Sequence, residues 1–264
     1  MKRPAPLAFL LASLLIIPLS APAHAESSPE AMKWLEKLLS IYEQAPFTVD
    51  YTATVNLDAM GQQVSGNMNG SITQGDKTHS RMSLELQMSG IPGMTSGPVT
   101  MKVLNVIDGT TIWSEMENPA LGGKQVTKVA LEQAAALAQS TGGMNPASLD
   151  PVAQLRTLTE TMDFEVVGKE GGVVTLRGTV TEATRSQLST LTSAADAAFL
   201  FRLDERTGFP KEVRAEGDQP FITMVFNNLK FVDEKDLPAG VFEYTPAEGT
   251  PVMDLGAFMA PSSR

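Results

Sequence analysis

The 264-residue chain carries 20 basic and 30 acidic residues, a formal charge of -10, and no cysteine. An acidic surface disfavours phosphate backbones and anionic membranes, so no nucleic acid is expected as a partner. The lack of cysteine excludes thiol nucleophiles, zinc–thiolate sites and iron–sulfur clusters, and with them the lipid-bearing cysteine of a bacterial lipoprotein.

Residues 1–25 read as a cleaved signal peptide: Lys2 and Arg3 start it, Leu7 to Ile17 form a short apolar run, and "AHA" precedes Glu26. The run falls short of the roughly 20 apolar residues that span a bilayer. The expectation is one domain over residues 26–264, exported to the periplasm, soluble, monomeric and not lipid-anchored.

"SSPEAMKWLEKLLSIYEQAP" predicts an amphipathic helix with Ser27 and Glu30 as a capping box, Pro29 in the first turn and Pro46 as the stop. Ala31, Leu35, Leu38, Ile41 and Tyr42 make its apolar stripe. The period then drops to two. Phe47, Val49, Tyr51, Ala53, Val55 and Leu57 alternate with polar residues; Val64, Gly66, Met68, Gly70 and Ile72 repeat the pattern; Met82, Leu84, Leu86 and Met88 do so a third time. Three such strands in succession predict an antiparallel meander. Further strands are predicted at 98–107, 110–117, 163–168, 172–180, 197–204, 211–216, 221–232 and 241–245. Helices are predicted at 129–138 and 152–162, and "TEATRSQLSTLTSAADA" reads as a helix or an ordered loop. The fold class expected is α+β: a strongly curved antiparallel β-sheet, an incomplete barrel, with helices covering its concave apolar face.

Catalytic chemistry finds little support. His24 leaves with the signal peptide, so His79 stands alone, and there is no G-x-S-x-G elbow, H-x-x-x-H pair or calcium loop. No cofactor, no metal and no enzymatic activity are expected. Seven of the 14 methionines (Met60, Met68, Met82, Met88, Met94, Met101 and Met116) fall in the first sheet region. Methionine adapts to variable apolar partners, although core filling is its commoner use.

In "LNVIDGTTIWSEM", Asp108-Gly109 predicts a two-residue hairpin turn, with Ile107 opposite Thr110, Leu104 opposite Trp113 and Lys102 opposite Glu115. Apolar residues on both faces near its tip require cover on both sides, by a helical lid or a chain end. This hairpin resembles the strand–DG–strand unit, with its trailing tryptophan, of the LolA/LolB-like superfamily of periplasmic lipoprotein carriers. "FRLDERTGFPKEVRAE" is similar to that group's D-x-x-T-G-x-P hairpin, and "VFNNLKF" with "LPAGVFEYTPAEGTPVMDL" resembles its closing strands. The likeness spans most of residues 29–255. One departure is "TQGDKTHSRM", where the soluble carriers have a basic segment whose arginine latches the lid; that role is not transferred to Arg81.

The resemblance implies a non-catalytic carrier that binds lipid or lipoprotein acyl chains in an apolar cavity, with envelope membrane proteins as donor or acceptor. The expected lining is Val49, Tyr51, Val55 and Leu57 from the first strand, Val64, Met68 and Ile72 from the second, and Met82, Leu84, Leu86 and Met88 from the third. Met101, Val103 and Ile112 extend it, and Leu131, Leu137, Val152, Leu155 and Leu158 form the lid. The alternative is a regulatory or interaction protein of the cell envelope, a stress sensor or scaffold on the same fold. A filled apolar core would favour that alternative; an envelope enzyme is a third reading.

Overall fold

The computed structural model describes residues 27–59, 62–90, 97–118, 123–134, 159, 161–181, 198–216 and 220–258. Helix α1 spans Pro29–Gln44. Its N-cap is Ser28, whose hydroxyl accepts a hydrogen bond from the Ala31 amide at 3.2 Å. Ser27, expected in that role, instead accepts from the Phe164 amide at 3.0 Å and ties the chain to a strand. The helix ends on a hydrogen bond that the Ala45 amide donates to the Ile41 carbonyl, before Pro46.

Twelve strands form one sheet: β1 (Phe47–Ala59), β2 (Gln62–Asp76), β3 (His79–Ser89), β4 (Val99–Asp108), β5 (Thr111–Asn118), β6 (Gly123–Ala130), β7 (Met162–Glu170), β8 (Val173–Val180), β9 (Ala198–Asp204), β10 (Pro210–Glu216), β11 (Pro220–Phe231) and β12 (Val252–Asp254). Their order is β12-β6-β5-β4-β3-β2-β1-β11-β10-β9-β8-β7. Two meanders, β1–β6 and β7–β11, therefore meet along the antiparallel β1–β11 pair. The β12–β6 pair is parallel. At the junction β11 carries Asn228 at φ 55, opposite an irregularity in β1, and its amide donates to the Asp50 carboxylate at 2.9 Å. Asparagine is one of the few residues that tolerate this left-handed backbone.

Three expectations are corrected. The sheet is open and not the strongly curved, incomplete barrel, because β12 and β7 end the strand order and do not pair with each other. Curling was expected because many twisted strands share one sheet; the sheet stays open, and α1 packs on one apolar face of it. Ala31 and Leu35 pack on Met162, Phe164, Val174, Leu176 and Leu203 of one meander. Leu38, Ile41 and Tyr42 pack on Phe47, Val49, Tyr51 and Ile72 of the other, with Phe209. One helix thus joins both halves on the same face. Secondly, Val129 and Ala130, the start of the helix expected over 129–138, belong to β6, where Ile112↔Val129 and Thr111↔Ala130 pairing overrides the local helical pattern; residues 131–134 are helical, and 135–138 lie outside the described residues. Leu137, Val152, Leu155 and Leu158, the other lid positions, lie outside the described residues, as does nearly all of "TEATRSQLSTLTSAADA". Thirdly, residues 241–245 form no strand.

The D-x-x-T-G-x-P segment builds the β9–β10 turn. The Asp204 carboxylate accepts from the Thr207 amide at 2.8 Å and its hydroxyl at 3.0 Å, and Gly208 takes φ 82. The Thr207 amide chiefly, helped by Lys211 and the Thr207 hydroxyl, holds the Asp204 carboxyl down at about 2 against an ordinary 3.8. A depressed carboxyl stabilises the fold above its unfolded pKa, and that stability is lost as pH falls through the folded value. Asp204→Asn is therefore expected to cost about 2 kcal/mol at neutral pH. It should also flatten the acid limb of stability between pH 3.8 and about 2, measured by urea unfolding at each pH. An unchanged acid limb would refute this role.

Candidate functional site

The residues expected to line an acyl-chain cavity are brought together, but as packed core. Val49, Tyr51 and Ile72 are buried under α1, with Met68, Met82 and Leu84 packed against them. Val64, Leu86, Met88 and Met101 form a second buried cluster with Met68 and Val103 around it, and Ile112 a third, with Leu131 beside it. Val55 is 2 % exposed, and the Leu57 side chain lies outside the described residues. Aromatic contacts fill the space under α1: Tyr42, Phe47 and Phe209 have ring centroids 5.2–5.9 Å apart. Without a curled sheet to enclose an apolar cavity, the carrier reading is overturned, and with it the description of the molecule as a β-barrel-like lipoprotein transporter.

The opposite face of β3–β6 is covered by the chain end, which resolves the two possibilities left by the hairpin. Tyr244 lies 5.4 Å from the Trp113 ring and its hydroxyl donates to Glu115 at 2.6 Å. Phe242 sits against His79 at 5.6 Å and over Gly75, where an added Cβ would come within 2.9 Å of its ring. Arg81 donates to the Val241 carbonyl at 3.3 Å, so it holds this tail. Glu115 pairs with Lys124 at 2.6 Å and not with Lys102, which faces Glu117 in the register. Partial burial works to raise Glu115, but hydrogen bonds from Lys124 and Tyr244 and the Lys124 charge outweigh it and hold the carboxyl below the ordinary glutamate range.

The hairpin turn is wider than expected. Ile107 faces Ile112 and Val106 faces Trp113, which puts four residues, 108–111, in the loop. The slip of two residues leaves every side chain on its expected face. The cause is the Asp108 side chain. One oxygen accepts from the Thr110 and Thr111 amides at 3.0 and 2.8 Å, and the other accepts from the Trp113 indole at 2.8 Å. Neighbouring Asp76 does the same for the β2–β3 turn, accepting from the Thr78 amide at 2.7 Å and meeting His79 Nδ1 at 3.0 Å. These acids and His79 serve turns. Asp108→Ala is expected to lower stability by about 1.5 kcal/mol and to shift Trp113 emission to the red, while Asp108→Asn, which keeps an acceptor oxygen, costs less. Thermal unfolding followed by tryptophan fluorescence tests both; equal losses would count against the capping role.

A different feature offers a surface to a partner. Between α1 and β7 lies an open cleft of about 880 Å³, lined by Ser28, Pro29, Glu30, Lys33, Trp34, Lys37, Glu165, Val166 and Lys169. Trp34 forms its apolar wall, with the Lys37 and Lys169 ammonium groups 4.8 and 5.9 Å from the ring. Lys37 is held by the Glu205 and Arg206 carbonyls at 3.1 and 3.0 Å. Lys169 pairs with Glu30 at 2.6 Å, and the hydrogen bond it donates to that carboxylate raises the ammonium above the ordinary lysine range. The sequence reading gave Trp34, Lys33, Lys37 and Lys169 no role; the i, i+3 spacing of Trp34 and Lys37 was the available signal. Among the described residues no group of three or more acids or histidines could hold a metal, and no helix is long and apolar enough to cross a membrane.

No family model matches the chain, and no curated protein does. Similar solved structures include MucB (18 % identity, covering 83 % of this chain and 69 % of that one, TM-score 0.40). LprF from Mycobacterium bovis is 12 % identical over 78 % of this chain and 95 % of that one, with TM-score 0.41. A LolA superfamily protein from Nitrosomonas europaea is 12 % identical over 81 % and 97 %, with TM-score 0.31. The last comes from the group that the hairpin and closing motifs resemble. At these identities and TM-scores the likenesses assign no function.

Proposed function

We propose that this is a non-catalytic regulatory or interaction protein of the cell envelope, working in the periplasm through contacts with other proteins. The observation that carries the reading is the filled core: the face that a carrier would keep open for acyl chains is occupied by Leu38, Ile41, Tyr42, Phe47 and Phe209 of the protein itself. What the described surface offers instead is a charged cleft with one tryptophan. Site-directed photocrosslinking in cells tests this, with the reactive residue placed in turn at several exposed positions, including Val167, Val225 and Lys235. A discrete adduct with an envelope protein is expected from at least one position. Absence of any protein adduct, with acyl lipid recovered from the natively purified protein, would overturn the reading.

A further inference from the structure

We infer that the cleft beside α1 receives an extended, acidic peptide segment of a partner protein, which adds to the free edge of β7 as a further strand. This rests on the interaction-protein reading and names the partner's chemistry and its mode of docking.

β7 ends the strand order, so among the described residues the side of it away from β8 has no strand partner. The molecule already uses the first part of that edge. Ser28 donates its amide to the Phe164 carbonyl at 2.8 Å, and the Phe164 amide donates to the Ser27 hydroxyl at 3.0 Å. Residues 27–28 thus occupy a short stub of that edge, through one backbone bond and one bond to a side-chain hydroxyl. Pro29 then turns the chain into α1 and the stub stops.

Antiparallel pairing alternates, so a residue whose amide and carbonyl point away from the neighbour recurs every second position. Phe164 is such a residue, which makes Val166 the next. Between Val166 and Gly168 the register shifts by one residue, and Glu170 and Val173 flank a two-residue turn of Gly171 and Gly172 at φ 58 and 75. In that turn type the flanking residues bond to each other, so Lys169 is the outward-facing residue beyond the shift. Val166 and Lys169 are the two β7 residues besides Glu165 that line the cleft. The backbone groups that the stub leaves without a partner among the described residues therefore open into it.

The side chains select the partner's charge. Lys33, Lys37 and Lys169 line the cleft against Glu30 and Glu165, in a chain whose formal charge is -10. Lys37 is fixed by neutral carbonyls, and neither it nor Lys33 has an ion pair among the described residues. An incoming carboxylate meets these two ammonium groups, while Trp34 presents an aromatic surface to an apolar residue beside it. Main-chain bonds would supply affinity and the side-chain pockets specificity, as in other cases of strand addition.

The test uses the mature chain from residue 26 and fluorescently labelled short peptides, followed by anisotropy. The acidic probe alternates glutamate and valine; one control replaces each glutamate by lysine, and another carries N-methyl groups on alternate amides. The acidic probe is expected to bind at least about tenfold more tightly than either control, and to weaken with added salt. Lys33→Glu is expected to weaken it about tenfold, without changing thermal unfolding, because Lys33 is an exposed side chain. Equal binding of the acidic and lysine probes, or of the N-methylated probe, overturns the proposal, as does no binding at all. In cells, adducts confined to positions remote from Val167 would defeat strand addition and leave the interaction-protein reading standing, whereas loss of adducts everywhere, with acyl lipid recovered from the natively purified protein, defeats both.

Discussion

Phe47→Ala is expected to lower the unfolding free energy by about 4 kcal/mol, the largest loss for any single truncation considered. Phe47 is 0 % exposed and is the meeting point of the helix, β1 and the β9–β10 turn. Its ring is edge-on to Tyr42 and to Phe209, both at 5.2 Å, and 6.5 Å from Phe231. Truncation removes the transfer energy of the ring, these edge contacts and the support beneath Leu38 and Ile41. Because α1 bridges both meanders, the site cannot collapse without shifting one half of the sheet against the other. Urea unfolding followed by far-UV circular dichroism should show a lower midpoint with an unchanged slope. A loss below about 1.5 kcal/mol would mean that the cluster relaxes and does not clamp the two halves.

Gly70→Ala is expected to cost about 3 kcal/mol although it adds a single methyl group. A Cβ at Gly70 would lie 2.3 Å from Tyr51 Cζ and 2.4 Å from the Ser83 carbonyl oxygen. The first obstacle is a ring that crosses β2 to donate its hydroxyl to that same carbonyl at 3.2 Å. The second is backbone of β3 and cannot rotate away. Gly168→Ala is the matching control, since a Cβ there meets nothing within 4 Å and its φ is not in the left-handed region. Its effect is expected to stay within about 0.5 kcal/mol. Adding Tyr51→Ala to Gly70→Ala should recover only part of the loss, because the Ser83 carbonyl remains. Full recovery would show that the tyrosine ring alone forbids the methyl.

Much of the fold is legible in the residues because the signals are local. The alternation from Phe47 to Leu57 predicts β1 and its buried parity, and Ala31, Leu35, Leu38, Ile41 and Tyr42 predict the face by which α1 docks. Asp-Gly announces a hairpin at residues 108–109, and the faces of its strands follow. Its register does not, because Asp108 spends its carboxylate on Thr110, Thr111 and a tryptophan five residues away, a choice that depends on the folded tip. β6 and β12 are missed for a similar reason. "VTKVA" has no decisive period, and Val252–Asp254 becomes a strand only because an edge is there to pair with.

The candidate site was the least legible feature. Trp34, Lys33 and Lys37 follow one another along α1, but Glu165, Val166 and Lys169 come from a strand more than a hundred residues away in the chain. No local pattern joins them. The absence of thiol chemistry, the parities of α1 and the first strands and the hairpin positions were determined by the sequence alone, because each depends on a composition or a period within a short stretch. Whether the sheet closed, which element filled its apolar face and which edge was left free were decided only by tertiary structure. Those outcomes turn on competition between distant surfaces for the same burial, and α1 won it where a barrel wall or a lipid could have done so.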